Sequence, residues 1–255
     1  MMMCFLACKS TSIQDPQLLS LALVTLEGHE HYLELKPGSE LTRARIDRSS
    51  DFVRANVLVK MWQFDFAWAI EREIGRLTGE WLLARAAESM AKVEVAFDHA
   101  TEFMLMERVL RRAGLWKRTA EWIVPVNVAA MTGSTEGEWA AEACYRSLGE
   151  RRLRRHHGLA DALALRAAFV SVKETSACKA RVVHSDAFHR LVALVDTWAD
   201  EHNPSRFDSE AWVRRWLMQR VHALDGRRPL DLVEQPGGPE QLESLLQAID
   251  AGVHS

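Results

Sequence analysis

The chain is short of cysteine, tyrosine and proline, has no surplus of either charge and contains no long apolar run. Its 255 residues include 4 Cys, 7 Pro, 13 Gly and 2 Tyr. Cys4, Cys8, Cys144 and Cys178 form no C-x-x-C pair and show no zinc-ligand spacing. That excludes a disulfide scaffold and reads as reduced, mostly buried thiols. The glycine and proline content excludes a collagen-like or low-complexity chain, and no internal repeat is visible. No stretch approaches the ~20 apolar residues that span a bilayer. The apolar opening from Met1 to Cys8 is too short for a signal peptide and lacks its basic flank. A soluble cytoplasmic protein with no membrane partner is therefore expected. The 32 Lys+Arg stand against 35 Asp+Glu, a formal net charge of −3. Any case for nucleic acid must then rest on local patches rather than on the whole-protein field.

What is present is a globular composition. At 48% hydrophobic and 26% charged, the chain has too much apolar content for disorder, and its length suits one large domain or two ordinary ones. Its 9 Trp read as large buried anchors. Residues 3–7 and 18–24 are short apolar runs and residues 31–35 alternate, with Glu27-Gly28 and Pro37-Gly38 as turn signals. This pattern predicts an antiparallel three-stranded meander. A helix is expected over residues 65–87, where Phe66, Ala69, Ile70, Ile74 and Leu77 recur at helical spacing. A fourth strand follows at 92–97, then helices at 102–112, 138–155 and 158–172. Periodicity lapses between Lys173 and Asp186, and helices are expected beyond it at 188–199, at 211–223 and in a last segment ending at Gly252. The fold class is therefore α/β: a mixed sheet flanked by helices over residues 1–178, then a small all-helical domain over 184–255.

The most distinctive string is His156-His157-Gly158-Leu159-Ala160-Asp161-Ala162. On one continuous helix, residues five apart point about 140° away from each other. His156 and Asp161 converge only if the His precedes the helix and the Asp lies in its first turn, an arrangement that Gly158 permits. The bland alternative is a solvated basic helix start. Together with the three-strand opening and the strand at 92–97, this string resembles the RNase H-like DEDDh family of 3′–5′ exonucleases across residues 3–172. The resemblance implies a general base at His156, metal-holding carboxylates at Asp161 and Glu102 (with Asp98 as second choice), and a bound pair of Mg²⁺ or Mn²⁺ ions. It also implies a single-stranded RNA or DNA 3′ end as substrate. Phe5-Leu6-Ala7-Cys8-Lys9-Ser10-Thr11 aligns with the family's first motif. Ala7 and Lys9 stand there where the family has Asp and Glu. Two divalent ions roughly 4 Å apart are held through carboxylates, so a chain with these residues is expected to be inactive, with the Lys9 ammonium paired to Asp161 or Glu102.

Nucleic-acid contacts are expected from Arg151, Arg152, Arg154 and Arg155 and from Ser10 and Thr11. Arg108, Arg111, Arg112, Lys117 and Arg118 form a second basic cluster, and both clusters read equally as solvated helix faces. Trp116 and Trp122 are candidate stacking residues, more commonly core anchors. Near the end of the chain, Trp212 to Leu217, then Leu224-Asp225-Gly226-Arg227-Arg228-Pro229-Leu230, then Gly238 and Leu245 to Val253 resemble the toxin-binding domain of Xre/MbcA/ParS-type antitoxins. That resemblance implies a protein partner or self-association. The stripe Leu242, Leu245, Leu246 and Ile249 is also explained by a plain core. The alternative to an exonuclease-type protein is thus a non-catalytic nucleic-acid- or protein-binding module of toxin–antitoxin type.

Overall fold

A computed structural model describes residues 2–63, 67–202 and 207–250, leaving aside the side chains of 199–202 and 250. The chain divides into two compact units, Met1–Val172 and Lys173–Ser255. The first is built on six strands: β1 (Met2–Ser10), β2 (Leu18–Thr25), β3 (Glu30–Leu35), β4 (Trp68–Ala69), β5 (Val93–Phe97) and β6 (Ile123–Asn127). Their order is β4-β3-β2-β1-β5-β6. The pairs β1–β2 and β2–β3 are antiparallel, whereas β5 runs parallel to β1 and β6 parallel to β5. The expected mixed sheet and its opening meander are both present.

Helices α1 (Glu40–Arg48), α2 (Asp51–Asn56), α3 (Glu71–Ser89), α4 (Ala100–Arg112), α5 (Trp116–Ala120), α6 (Ala129–Thr132) and α7 (Thr135–Ser147) follow in this unit. The boundary between the units falls inside α8 (Gly158–Val182). The second unit continues with α9 (Asp186–His202), α10 (Ser209–Trp216), α11 (Leu230–Val233) and α12 (Gly238–Asp250).

The strand β1 organises the first unit through its period of two. Cys4, Leu6 and Cys8 point into the core shared with Ile74 and Leu82 of α3 and with Met106 and Val109 of α4. Met3 and Phe5 point the other way, against Leu165 and Phe169 of α8, and Ala7 joins Leu159, Ala160 and Ala162 on that same face. Burial on both faces is why the β1 sequence reads as a nearly unbroken apolar run. On the α3 side the helices pack very closely. A Cβ at Gly75 would meet the Val109 carbonyl oxygen at 2.1 Å, so only glycine permits the α3–α4 contact.

Several expected elements differ. The helix expected from residue 65 starts at Glu71, with Ala69 in β4; residues 64–66, including Phe66, lie outside the described residues. The helix expected over 138–155 ends at Ser147, followed by one 3₁₀ turn to Arg151. Leu148 and Leu153 both bury themselves beneath it, 7% and 1% exposed, and that tuck breaks the helix. Arg152 consequently takes a left-handed φ of 57°. The helix expected over 211–223 stops at Trp216, because Leu217 and Leu224 turn inward to join the core of the second unit. The separator at Pro204 and the end of the last helix at Gly252 lie outside the described residues.

In the second unit Leu242 and Leu246 of α12 are fully buried against Phe188, Leu191, Val213 and Trp216, with Leu245 and Ile249 packed beside them. The turn at Gly226 is closed by its N–H donating to the Val221 carbonyl at 3.1 Å, with φ +72°. Among the described residues no helix is long and apolar enough to cross a membrane.

One packed group ties stability to pH. The His31 ring stacks on Trp81 at 5.3 Å and its Nε2 lies 3.1 Å from Thr78 Oγ1. Burial lowers its pKa to about 4, whereas an unfolded histidine titrates near about 6.5. The unfolded chain therefore binds the extra proton between these values, and the His31 contribution is full above pH ~6.5 and lost as pH falls toward 4. Relative to His31→Gln, the wild type should lose additional stability in thermal melts through that window and keep a constant difference above neutrality. An equally steep decline in the variant would remove His31 as its cause.

Candidate functional site

The alternation that buries Ala7 carries Lys9 to the same face of the sheet, toward the start of α8. Gly158 opens that helix, so Asp161 lies in its first turn. The Lys9 ammonium meets Asp161 Oδ2 at 2.5 Å, and each side chain is only 16% exposed. Asp161 Oδ1 is occupied as well. It accepts the Tyr145 hydroxyl at 2.9 Å and the His156 backbone N–H at 3.0 Å. His156 takes a left-handed φ of 70°, which turns its N–H toward the carboxylate. The two residues of the spaced pair do converge, but through the histidine backbone.

Glu102 enters from the first turn of α4. Its Oε1 accepts the Cys8 N–H at 3.1 Å. Burial, and then the neighbouring Asp98, push its carboxyl up to about 8, against the pull of Lys9 and of the Cys8 N–H. For Lys9, burial works against the charge. The charge and hydrogen bond of Asp161, then Glu102, outweigh it and leave the ammonium above its ordinary value. Burial likewise lowers the His156 imidazole, opposed by Asp161 and reinforced by Lys60 and Lys9.

Ala7, Lys9, Glu102, His156 and Asp161 all line one cleft of about 960 Å³, together with Asp98, Tyr145 and Arg155. The resemblance implies divalent metal there, and the residues do not fit it. Ala7 offers no oxygen and Lys9 offers a cation. Both Asp161 oxygens and one Glu102 oxygen already accept hydrogen bonds or an ion pair. Among the described residues no three His, Cys, Asp or Glu side chains gather as a metal centre needs.

The expected nucleic-acid residues separate. Arg151 is engaged bidentately by Glu30 at 2.7 and 2.6 Å. Arg155 pairs with Glu142 and lies over the Tyr145 ring at 4.8 Å. Arg152 and Arg154 line a different, smaller cleft. Ser10 and Thr11 serve the turn after β1: the Ser10 hydroxyl donates to the Ser12 carbonyl at 3.1 Å, and Thr11, 1% exposed, donates to the Asp15 carbonyl at 3.0 Å. In the second basic cluster Arg108 donates to the Pro16 carbonyl, while Arg111 pairs with Glu107 and Arg112 with Glu71. Trp116 packs on the core, and Trp122 is 43% exposed. Tyr145 was not foreseen, since nothing in its local pattern marks it as a partner for a residue sixteen positions on.

The second unit contains the tryptophans of the closing segment, with Trp212 stacked on Trp216 at 6.0 Å. Residues 205–252 match the antitoxin Xre/MbcA/ParS C-terminal toxin-binding domain. The matched residues include α10, α11 and α12 and leave the α/β unit outside the match. The match includes the Gly226 turn and Gly238, where a Cβ would meet the Leu232 carbonyl oxygen at 1.8 Å. No curated protein is similar enough to the chain to count as a relative.

The Lys9–Asp161 pair has a measurable consequence. Breaking a largely buried ion pair from one side leaves the other charge uncompensated. Lys9→Ala and Asp161→Ala should each cost about 3 kcal/mol in chemical denaturation. The double variant should cost less than the sum by at least about 1 kcal/mol. Strict additivity would show that the pair is not coupled.

Proposed function

We propose that this protein is a non-catalytic binding protein of toxin–antitoxin type. Its α/β unit is an exonuclease-type domain, of the lineage that shortens nucleic acid from the 3′ end by a two-metal mechanism, and its own cleft no longer hydrolyses. Its helical unit docks a protein partner of the toxin class. The observation that carries this reading is the Lys9–Asp161 contact at 2.5 Å. A tethered cation there takes the oxygen that would otherwise hold a metal, and with Ala7 beside it the cleft cannot assemble the carboxylate set that positions an attacking water. His156 keeps the place of a general base, but a base without an activated water near it has no proton to move. The match at residues 205–252 supplies the class of partner.

The non-catalytic part is tested by incubating the full chain with 3′-labelled single-stranded RNA and DNA in Mg²⁺ or Mn²⁺. No shortening is expected, and sustained shortening at the 3′ end would overturn the reading. The double variant Ala7→Asp, Lys9→Glu serves as the positive arm, because it restores both missing carboxylates and removes the ion pair.

The partner part is tested separately. The full chain is mixed with purified toxins of the kind bound by Xre, MbcA and ParS antitoxins and passed over a sizing column with light scattering. A stable complex with at least one is expected. Absence of a complex with every such toxin, from a chain that is folded by circular dichroism, would refute the toxin-class partner.

A further inference from the structure

The turn that ends α7 sorts the four arginines of residues 151–155 in two directions. Arg151 and Arg155 are spent on Glu30 and Glu142. Arg152 and Arg154 are exposed and, among the described residues, make no ion pair. They line a second cleft of about 620 Å³ with Val59, Lys60 and Gln63. Among the described residues no carboxylate lines this cleft. Lys60 is tied to the same turn, its ammonium donating to the Arg155 carbonyl at 2.8 Å. Three cations are thus gathered with no acid among the described lining residues, in a protein whose net charge is −3.

The turn is also held in place from below. Leu148 and Leu153 anchor it in the core at 7% and 1% exposure, so the backbone carrying Arg152 and Arg154 is ordered before any ligand arrives, which lowers the entropic cost of binding. Beside the cations lies unused apolar surface. Phe52 of α2 is 57% exposed and Val59 is 67% exposed. The Phe52 ring meets the His156 ring edge-on at 5.2 Å, two positions along the chain from Arg154, and the rest of the ring faces solvent.

We infer that this cleft binds single-stranded nucleic acid, with Lys60, Arg152 and Arg154 on successive phosphates and Phe52 under a base. Clustered cations alone would serve any polyanion. The exposed, oriented aromatic beside them favours a ligand with flat apolar faces between its charges, which a nucleic acid strand has and an acidic peptide lacks. A ligand held here would lie next to the larger cleft through His156, whose neighbour Arg155 carries the carbonyl that pins Lys60. The inference goes beyond the proposed function and needs neither the toxin partner nor the silence of the larger cleft. Its failure would leave the nuclease and toxin assays unaffected.

The test is fluorescence anisotropy of the full chain with a labelled single strand of about 12 nucleotides, RNA and DNA in turn, over a salt series. Binding should weaken steeply with salt. Lys60→Gln combined with Arg154→Gln removes two phosphate contacts, and should weaken binding at least about ten-fold at low salt and flatten the log–log salt slope by roughly 1.4. Arg72→Gln with Lys92→Gln removes the same charge from exposed positions outside both basic clusters and should leave affinity within about two-fold. Phe52→Ala should weaken the oligonucleotide but not inorganic polyphosphate. The substituted side chains are exposed or half-buried, and a thermal melt of each variant confirms that it is folded. Wild-type affinity in Lys60→Gln, Arg154→Gln would overturn the inference. So would an equal loss in the Arg72→Gln, Lys92→Gln control, or displacement of the strand by polyglutamate as readily as by unlabelled RNA.

Discussion

The α/β unit depends on one strand being buried on both faces. β1 has β2 on one edge and β5 on the other, with α3 and α4 covering one face and α8 the opposite one. A strand in that position has no freedom to shift, since a slip of one residue would exchange its two hydrophobic sets. Its register therefore dictates that residues 7 and 9 face the first turn of α8. Whatever side chain stands at position 9 must come to terms with Asp161 in a place where water screens little. A lysine there resolves the matter by an ion pair, and the surroundings complete it. Tyr145 and the His156 N–H occupy the remaining oxygen, so that the carboxylate is satisfied on both sides.

The parts of this fold legible from sequence are those whose signal lies in a short period. The meander is legible because β1 and β2 are apolar runs and β3 alternates, with β2 and β3 followed by Gly28 and Gly38, both at left-handed φ of +99° and +77°. α1 and α2 were not, because neither has an apolar stripe. Each is set instead by a serine cap, Ser39 accepting from the Thr42 N–H and Ser50 from the Val53 N–H. β6 was hidden by Pro125, which is tolerated because β6 lies at the edge of the sheet and needs no outward donor. In the second unit the leucine stripe of α12 was visible as a core stripe. The premature end of α10 was not, since Leu217 leaves the helix only to satisfy packing with residues far along the chain.

The candidate sites divide in the same way. Positions 7, 9, 102, 156 and 161 were drawn together by a motif comparison, and they share one cleft. No local feature could announce Tyr145 or Lys60, because each reaches its place through tertiary structure. The arginine run shows the limit most plainly. As a helix face it would be a single stripe of positive charge. As a turn broken by Leu148 and Leu153 it becomes two residues in ion pairs, Arg151 and Arg155, and two that make none among the described residues. That division follows from the backbone direction, which a count of basic residues does not show.

The lysine at position 9 has a physical logic of its own in this cleft. A cleft that gathers Asp98, Glu102 and Asp161 concentrates negative charge in a place of low dielectric, where like charges repel strongly. Burial and Asp98 push the Glu102 carboxyl up to about 8 even with Lys9 nearby, a sign of how poorly the cleft tolerates its own acids. Lys9 provides compensating charge covalently, in contact with Asp161 and pulling against the rise of the Glu102 carboxyl. Ala7 adds no further acid and packs its methyl group with Leu159, Ala160 and Ala162. The two residues therefore act together: one brings no negative charge into the cleft and the other neutralises part of what is there, so the unit balances these acids with its own side chains.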